Sequence, residues 1–159
     1  MKNLSTSSID ISVKSKVFNF NGSISRRITV IRGDSAIGKT SLVNVIKSHS
    51  PSVQIESSMP LIVAANDTWK STIHFYTDSI IFFDDLSCTE SKEFAEICSE
   101  YLVKNNLYIV IIGRHNLNNF KAPERENDAE KHTYISDSDI AEIFVFKGEG
   151  NDYWLEPIT

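Results

Sequence analysis

The chain has 159 residues, a length typical of one domain. Hydrophobic residues make up 41% of it and glycine and proline are few, which excludes a mainly disordered or collagen-like chain. With 16 basic and 21 acidic residues the formal net charge is −5, so no overall positive charge is present to neutralise nucleic-acid phosphates. We therefore expect a single domain over residues 1–159 and do not expect nucleic acid as a partner.

The apolar segments and the cysteines indicate the cellular compartment of the protein. The longest apolar run, residues 107–112, is far shorter than the roughly 20 residues that a membrane-spanning helix requires. The first residues lack the apolar segment of a secretory signal. Cys88 and Cys98 are too far apart for a CxxC pair and too few for a zinc site. These features predict a cytoplasmic protein with no membrane partner.

The first half of the chain alternates strand and helix patterns. Alternating apolar and polar side chains over residues 9–20 predict an N-terminal β-hairpin. A β-branched run at 28–31 predicts a buried strand, and a helix is expected from Lys39 to the residues before Pro51. Short strands are expected at 53–55 and 61–65, whereas residues 68–78 fit a helix and a strand equally well.

The second half contains two strongly apolar strands. The first, residues 80–83, is followed by Asp84 and Asp85, and the second, residues 107–112, is followed by Gly113 and Arg114. Between them, apolar residues at helical spacing predict a helix that begins with a capping box at 87–90. Residues 118–139 are polar and predict a loop, and residues 140–159 predict a closing hairpin.

The strongest motif lies at residues 33–40, which fill every fixed position of G-x-x-x-x-G-K-[ST] between a strand and a helix. Such a loop wraps a polyphosphate with backbone N–H groups, so glycine is needed where a side chain would block the approach. The helix N-terminus adds a partial positive charge. The residues expected to bind the phosphates are Gly33, Asp34, Ser35, Ala36, Ile37, Gly38, Lys39, Thr40 and Ser41.

Individual roles follow from side-chain chemistry. Lys39 would reach the β- and γ-phosphates, and Ser41 would contact the α-phosphate. The Thr40 hydroxyl and the Asp84 carboxylate would hold Mg²⁺, because oxygen donors at a strand end suit this ion. Asp85 either orients the attacking water or only forms a turn or helix cap, and the sequence leaves both open.

Arg114 is the third candidate catalytic residue, beside Lys39 and Asp85. It directly follows a strand end that would point at the γ-phosphate if that strand lay between the other two. An arginine that pairs with a surface acid is the alternative interpretation.

Residues 33–40, taken with Asp84, Asp85 and Arg114, resemble the P-loop NTPases of the additional-strand class, which includes the AAA, ABC and STAND ATPases. The resemblance covers residues 26–116, the predicted nucleotide-binding core. It implies an α/β fold with a mainly parallel central sheet flanked by helices, to which the two terminal hairpins would be additions. It also implies ATP and Mg²⁺ as ligands, and a strand ending at Arg114 between the other two.

The segment 28–40 is more particularly similar to small ATP-binding proteins of bacterial mobile elements. The chain has no Leu-Ser-Gly-Gly-Gln segment and no Asn-Lys-x-Asp segment, which argues against an ABC-type ATPase and a small GTPase. Many AAA-like enzymes carry Glu where this chain has Asp85, which favours slow turnover.

These observations predict an Mg²⁺-dependent ATP-binding protein, a slow ATPase or nucleotide switch that acts on a protein partner or on a second copy of itself. One alternative is a small P-loop kinase that phosphorylates a small molecule or nucleoside, with residues 118–139 as a lid. The other alternative is a non-catalytic nucleotide-binding interaction module.

Overall fold

The computed structural model describes residues 8–32, 36–48, 50–113 and 141–158. The loop predicted at 118–139 lies outside these residues. The described part contains nine strands: β1 (Ile9–Lys14), β2 (Asn19–Ile24), β3 (Ile28–Arg32), β4 (Gln54–Ser57), β5 (Leu61–Val63), β6 (Ser79–Asp84), β7 (Leu107–Ile112), β8 (Ala141–Glu149) and β9 (Asp152–Pro157). Its three α-helices are α1 (Ala36–Ser48), α2 (Trp69–Thr72) and α3 (Lys92–Lys104).

All the strands belong to one mixed sheet in the order β4-β1-β2-β9-β8-β3-β7-β6-β5. The segment from β8 through β3, β7 and β6 to β5 is parallel, and β7 lies between β3 and β6 as the resemblance implies. The pairs β1–β2, β1–β4 and β8–β9 are antiparallel. A parallel pairing of β2 with β9 joins the N-terminal hairpin to the C-terminal hairpin.

The two edge strands, β4 and β5, are close in sequence. Residues 58–60 alone separate them. Nine strands laid flat would place the edges about 38 Å apart at about 4.8 Å per strand, whereas the chain from residue 57 to residue 61 spans at most about 14 Å. The sheet must therefore curl until its edges approach each other, and the result is nearly a closed barrel.

One hydrophobic core fills the inside of this curled sheet. Side chains from the strands on both sides of the curl pack around Leu42, Val43 and Ile46 of α1, all of them buried. Phe20 of β2 and Phe146 of β8 stack there, with ring centroids 5.5 Å apart. We call this the inner core; it packs α1 against strands from both ends of the chain.

A second core lies on the opposite face of β3, β7 and β6. It contains Trp69, Phe83 and Phe94, whose rings meet edge to face, together with the apolar side of α3. The side chain of Ser91 caps α3 by accepting a hydrogen bond from the Phe94 N–H at 3.0 Å. The continuous apolar runs of β6 and β7 are thus explained, because these strands are covered on both faces.

Most predicted elements are present, with shifted ends. The N-terminal hairpin is confirmed but extends to Ile24, and α1 starts at Ala36 instead of Lys39. The segment left open at 68–78 contains α2 and a 3₁₀ turn. The capping box predicted at 87–90 is wrong, because those residues form a 3₁₀ turn and α3 begins only after Ser91.

The predicted fold class, an α/β P-loop fold with a mainly parallel sheet flanked by helices, is wrong. The described chain is mostly β, with three short helices and one mixed, nearly closed sheet. The terminal hairpins are not additions, because β9 leaves an open edge of backbone groups that β2 satisfies. The sequence identified each hairpin locally, whereas the partner of β2 lies some 130 residues away.

None of the helices in the described part of the chain is long and apolar enough to cross a membrane.

The inner core generates a first prediction. Phe20→Ala should lower the free energy of unfolding by about 3–5 kcal/mol, because Phe20 is buried and stacked on Phe146. Val17→Ala in the same hairpin is the control and should change it by less than about 0.5 kcal/mol, since Val17 is 73% exposed. Urea denaturation measures both. A hairpin that melts separately from the rest of the chain would contradict a shared inner core.

Candidate functional site

The candidate site lies where three neighbouring parallel strands end. β3, β7 and β6 are adjacent, so their carboxyl ends share one edge of the sheet. Backbone bonds continue one residue beyond the strands: the Gly113 N–H donates to the Ile31 carbonyl at 3.0 Å, and the Asp85 N–H donates to the Ile112 carbonyl at 2.8 Å. β3 ends at Arg32, directly before the motif in sequence.

The first turns of α1 carry the second half of the motif. Ala36 and Ile37 open the helix, followed by Gly38 and the half-buried Lys39. Thr40 is exposed and Ser41 is half-buried. The other predicted phosphate ligands, Gly33, Asp34 and Ser35, lie outside the described residues, and so does Arg114.

Asp84 is the last residue of β6 and is half-buried. Burial raises the pKa of its carboxyl group above the ordinary value, and the charge of Asp85 raises it further. The charges of Lys47 and Lys39 act in the opposite direction and lower this pKa. The structure thus brings the motif lysine and the predicted metal carboxylate within electrostatic range of each other.

The metal assignment fits the chemistry of the residues present. Mg²⁺ prefers carboxylate, hydroxyl, phosphate and water oxygens, and Asp84 and Thr40 supply the first two. A divalent cation would also offset the burial and the Asp85 repulsion that raise the pKa of Asp84. Within the described ranges, no three His, Cys, Asp or Glu side chains form a group that would hold a metal on their own.

Asp85 follows β6 in a left-handed backbone conformation, with φ of 53°. Only glycine adopts this region without cost, although Asp and Asn tolerate it better than other residues. Its side chain is exposed, and its Oδ1 lies 3.3 Å from the position that a Cβ would occupy on Gly113. Asp85 is therefore part of the same strand-end cluster as Asp84.

Gly38 has a packing role that the motif alone does not indicate. A Cβ on Gly38 would lie 2.6 Å from Cε1 of Phe146 and 2.7 Å from Cε2 of Tyr153. The same Tyr153 ring also covers Gly148 and stacks on Phe18 at 4.9 Å. The aromatic side chains of the C-terminal hairpin therefore rest directly on the first turn of α1.

Two residues of the site were not found by sequence reasoning. Lys47, in the last turn of α1, resembles an ordinary lysine at a helix C-terminus, and only the fold brings its charge near Asp84. Gly113 was noted only as the end of a strand, although a glycine directly after an apolar strand is a usable signal for a special backbone conformation.

A scan against protein-family models finds no matching family, and a search of the curated proteins finds no significant match. The interpretation of the site is therefore based on the residues and geometry of this chain.

A second prediction concerns Gly38. In a helix, Gly→Ala normally stabilises by about 1 kcal/mol, but Gly38→Ala should destabilise the chain by about 1–3 kcal/mol, because the methyl group would enter the Phe146 and Tyr153 rings. The exposed Asn44→Ala on the same helix is the control and should be neutral or stabilising. Urea denaturation measures both. A stabilising Gly38→Ala would mean that the aromatic contact is loose.

A third prediction follows from the raised pKa of Asp84. At low pH the carboxyl group is protonated in the folded and the unfolded chain, so Asp84→Asn should change stability little. As pH rises through the folded-state pKa, the wild type loses stability relative to the variant, because ionisation is less favourable in the folded state. Asp84→Asn should therefore be the more stable protein at pH 7 in the absence of metal.

Thermal unfolding between pH 3 and 8 in the presence of EDTA tests this difference. Asp67→Asn, at an exposed turn position, is the control for the loss of one carboxylate elsewhere on the surface. A difference in unfolding temperature between Asp84→Asn and wild type that shrinks as pH rises would contradict a raised pKa of Asp84 as the cause.

Proposed function

We propose that this protein binds ATP with Mg²⁺ at the ends of β3, β7 and β6, and that it hydrolyses the nucleotide slowly or uses it as a switch. Residues 33–41 bind the phosphates in this proposal, and Thr40 and Asp84 hold the metal. The resemblance of the motif to ATP-binding proteins and the missing Asn-Lys-x-Asp segment favour ATP over GTP.

The observation that carries the proposal is the proximity of Lys39 and Asp84. They are 45 positions apart in sequence, yet burial raises the pKa of Asp84 and the charge of Lys39 lies close enough in the fold to oppose that rise. One belongs to the first turn of a helix that follows β3 after three residues, and the other ends a strand of the same parallel segment. A cation for phosphate beside an anion for Mg²⁺ suits the magnesium complex of a nucleoside triphosphate.

Each side chain has a chemical task in this proposal. Lys39 binds the β- and γ-phosphates as a point charge, assisted by backbone N–H groups at the start of α1. Asp84 and Thr40 would hold Mg²⁺, which would neutralise phosphate charge when bound. Asp85 orients the attacking water, and its short side chain supports slow turnover. Arg114 stabilises charge on the γ-phosphate.

Slow hydrolysis suits a protein that changes conformation with its bound nucleotide better than one that performs work. The proposal therefore includes a protein partner or a second copy of this chain that responds to this change.

A cytoplasmic location is part of the proposal. Both cysteines within the described residues are free thiols, which is consistent with a reducing compartment.

Lys39→Ala tests the proposal most directly. Wild type should bind ATP in a Mg²⁺-dependent manner. The variant should bind ATP at least tenfold more weakly, because the phosphates of ATP lose the charged Lys39 side chain as a partner. Titration calorimetry with ATP and GTP, with and without Mg²⁺, measures binding, and phosphate release measures turnover. Lys104→Ala, at the far end of α3, is the control and should bind like the wild type.

Equal affinity of wild type and Lys39→Ala for ATP would contradict the proposed site. Formation of ADP only when an acceptor such as a nucleoside is added would indicate a kinase instead, and tight binding with no turnover would indicate a nucleotide-binding interaction module.

A further inference from the structure

Gly113 and Asp85 are the two residues with positive φ at the edge where β6 and β7 end, within the ranges that the structure describes. Gly113 has φ of 128° and Asp85 has φ of 53°. Each directly follows its strand, and each donates its N–H to the neighbouring strand, Gly113 to β3 and Asp85 to β7. Both unusual conformations are thus held in place by backbone hydrogen bonds across three strands.

The two residues also lie close to each other. A Cβ on Gly113 would lie 3.3 Å from Oδ1 of Asp85 and 3.8 Å from its Cα. The first separation is tighter than most contacts that real Cβ atoms make, so a methyl group on Gly113 would shift the Asp85 carboxylate by a few tenths of an ångström.

The strain at Asp85 needs an explanation. A left-handed non-glycine residue costs about 1 kcal/mol, and such outliers persist where the surroundings fix them, often at functional sites. Here the Asp85 N–H bond to Ile112 fixes the backbone, and the missing side chain of Gly113 leaves the carboxylate at the strand ends next to Asp84.

We propose that Gly113 is a positioning residue for hydrolysis: by lacking a side chain, it lets the Asp85 carboxylate take the place from which it orients the attacking water. The inference rests on the proposed function of the site. It adds a positioning residue to the role proposed above for Asp85, and it predicts that Gly113 affects turnover through Asp85 and does not affect nucleotide binding.

The test uses the full chain and four variants: Gly113→Ala, Asp85→Asn, the double variant, and Gly150→Ala. Gly150 is the matched control, because it also has positive φ, at 64°, and a Cβ there would meet nothing within 4 Å. Alanine is more strained at φ of 128° than at 64°, so the double variant, and not the comparison with Gly150→Ala, isolates the contact with Asp85. Phosphate release gives kcat, and calorimetry gives the Kd for ATP in the presence of Mg²⁺.

We expect Gly113→Ala and Asp85→Asn each to lower kcat at least tenfold while Kd stays within threefold of wild type. In the double variant, Gly113→Ala should add no further loss, because the carboxylate that it displaces is already gone. Gly150→Ala should keep the wild-type kcat and Kd.

Several results would overturn the inference. They are a wild-type kcat in Gly113→Ala or in Asp85→Asn, equal losses of binding and turnover in Gly113→Ala, and a multiplicative loss in the double variant. If Gly113→Ala folds poorly, a wild-type kcat in Asp85→Asn still overturns the inference. Wild type that binds ATP but does not hydrolyse it would overturn this inference alone, and wild type that binds no ATP would overturn the proposed function as well.

Discussion

Residues 58–60 join two strands that lie at opposite edges of a nine-stranded sheet, and this short connection constrains the whole chain. A flat sheet would separate those edges by much more than the connection can span. The sheet therefore curls around α1, and the inner core collects side chains from both ends of the sequence. Because α1 lies inside the curled sheet, its first turn packs against the C-terminal hairpin at Gly38. The same turn lies near the strand ends.

The candidate site depends on this arrangement in two ways. The parallel order β3, β7, β6 brings three strand ends to one edge, and α1 starts there. The fold also places further groups near that edge: the Phe146 and Tyr153 rings beside Gly38, and the Lys47 charge near Asp84. A glycine in the motif thus serves packing, and the C-terminal hairpin packs against the turn that we propose to bind phosphate.

Sequence patterns predicted local elements better than their assembly. The apolar runs of β6 and β7 have too many apolar residues to leave one face in water, and both strands are covered on both sides as expected. The fold class was wrong because it was inferred from residues 26–116, and the pairing of β2 with β9 lies outside that range. The start of α3 was misplaced because Ser87 and Ser91 both resemble helix caps, and only Ser91 accepts a bond from the helix.

The same division holds for the site. The sequence by itself determined the motif at 33–40 and the acidic end of β6, since these are properties of neighbouring residues. Only the tertiary structure decided that Lys39 and Lys47 act on Asp84, that Asp85 lies against Gly113, and that aromatic rings rest on Gly38. The physical reason is that charges and contacts depend on distance in space, and strand pairing across more than a hundred residues sets those distances.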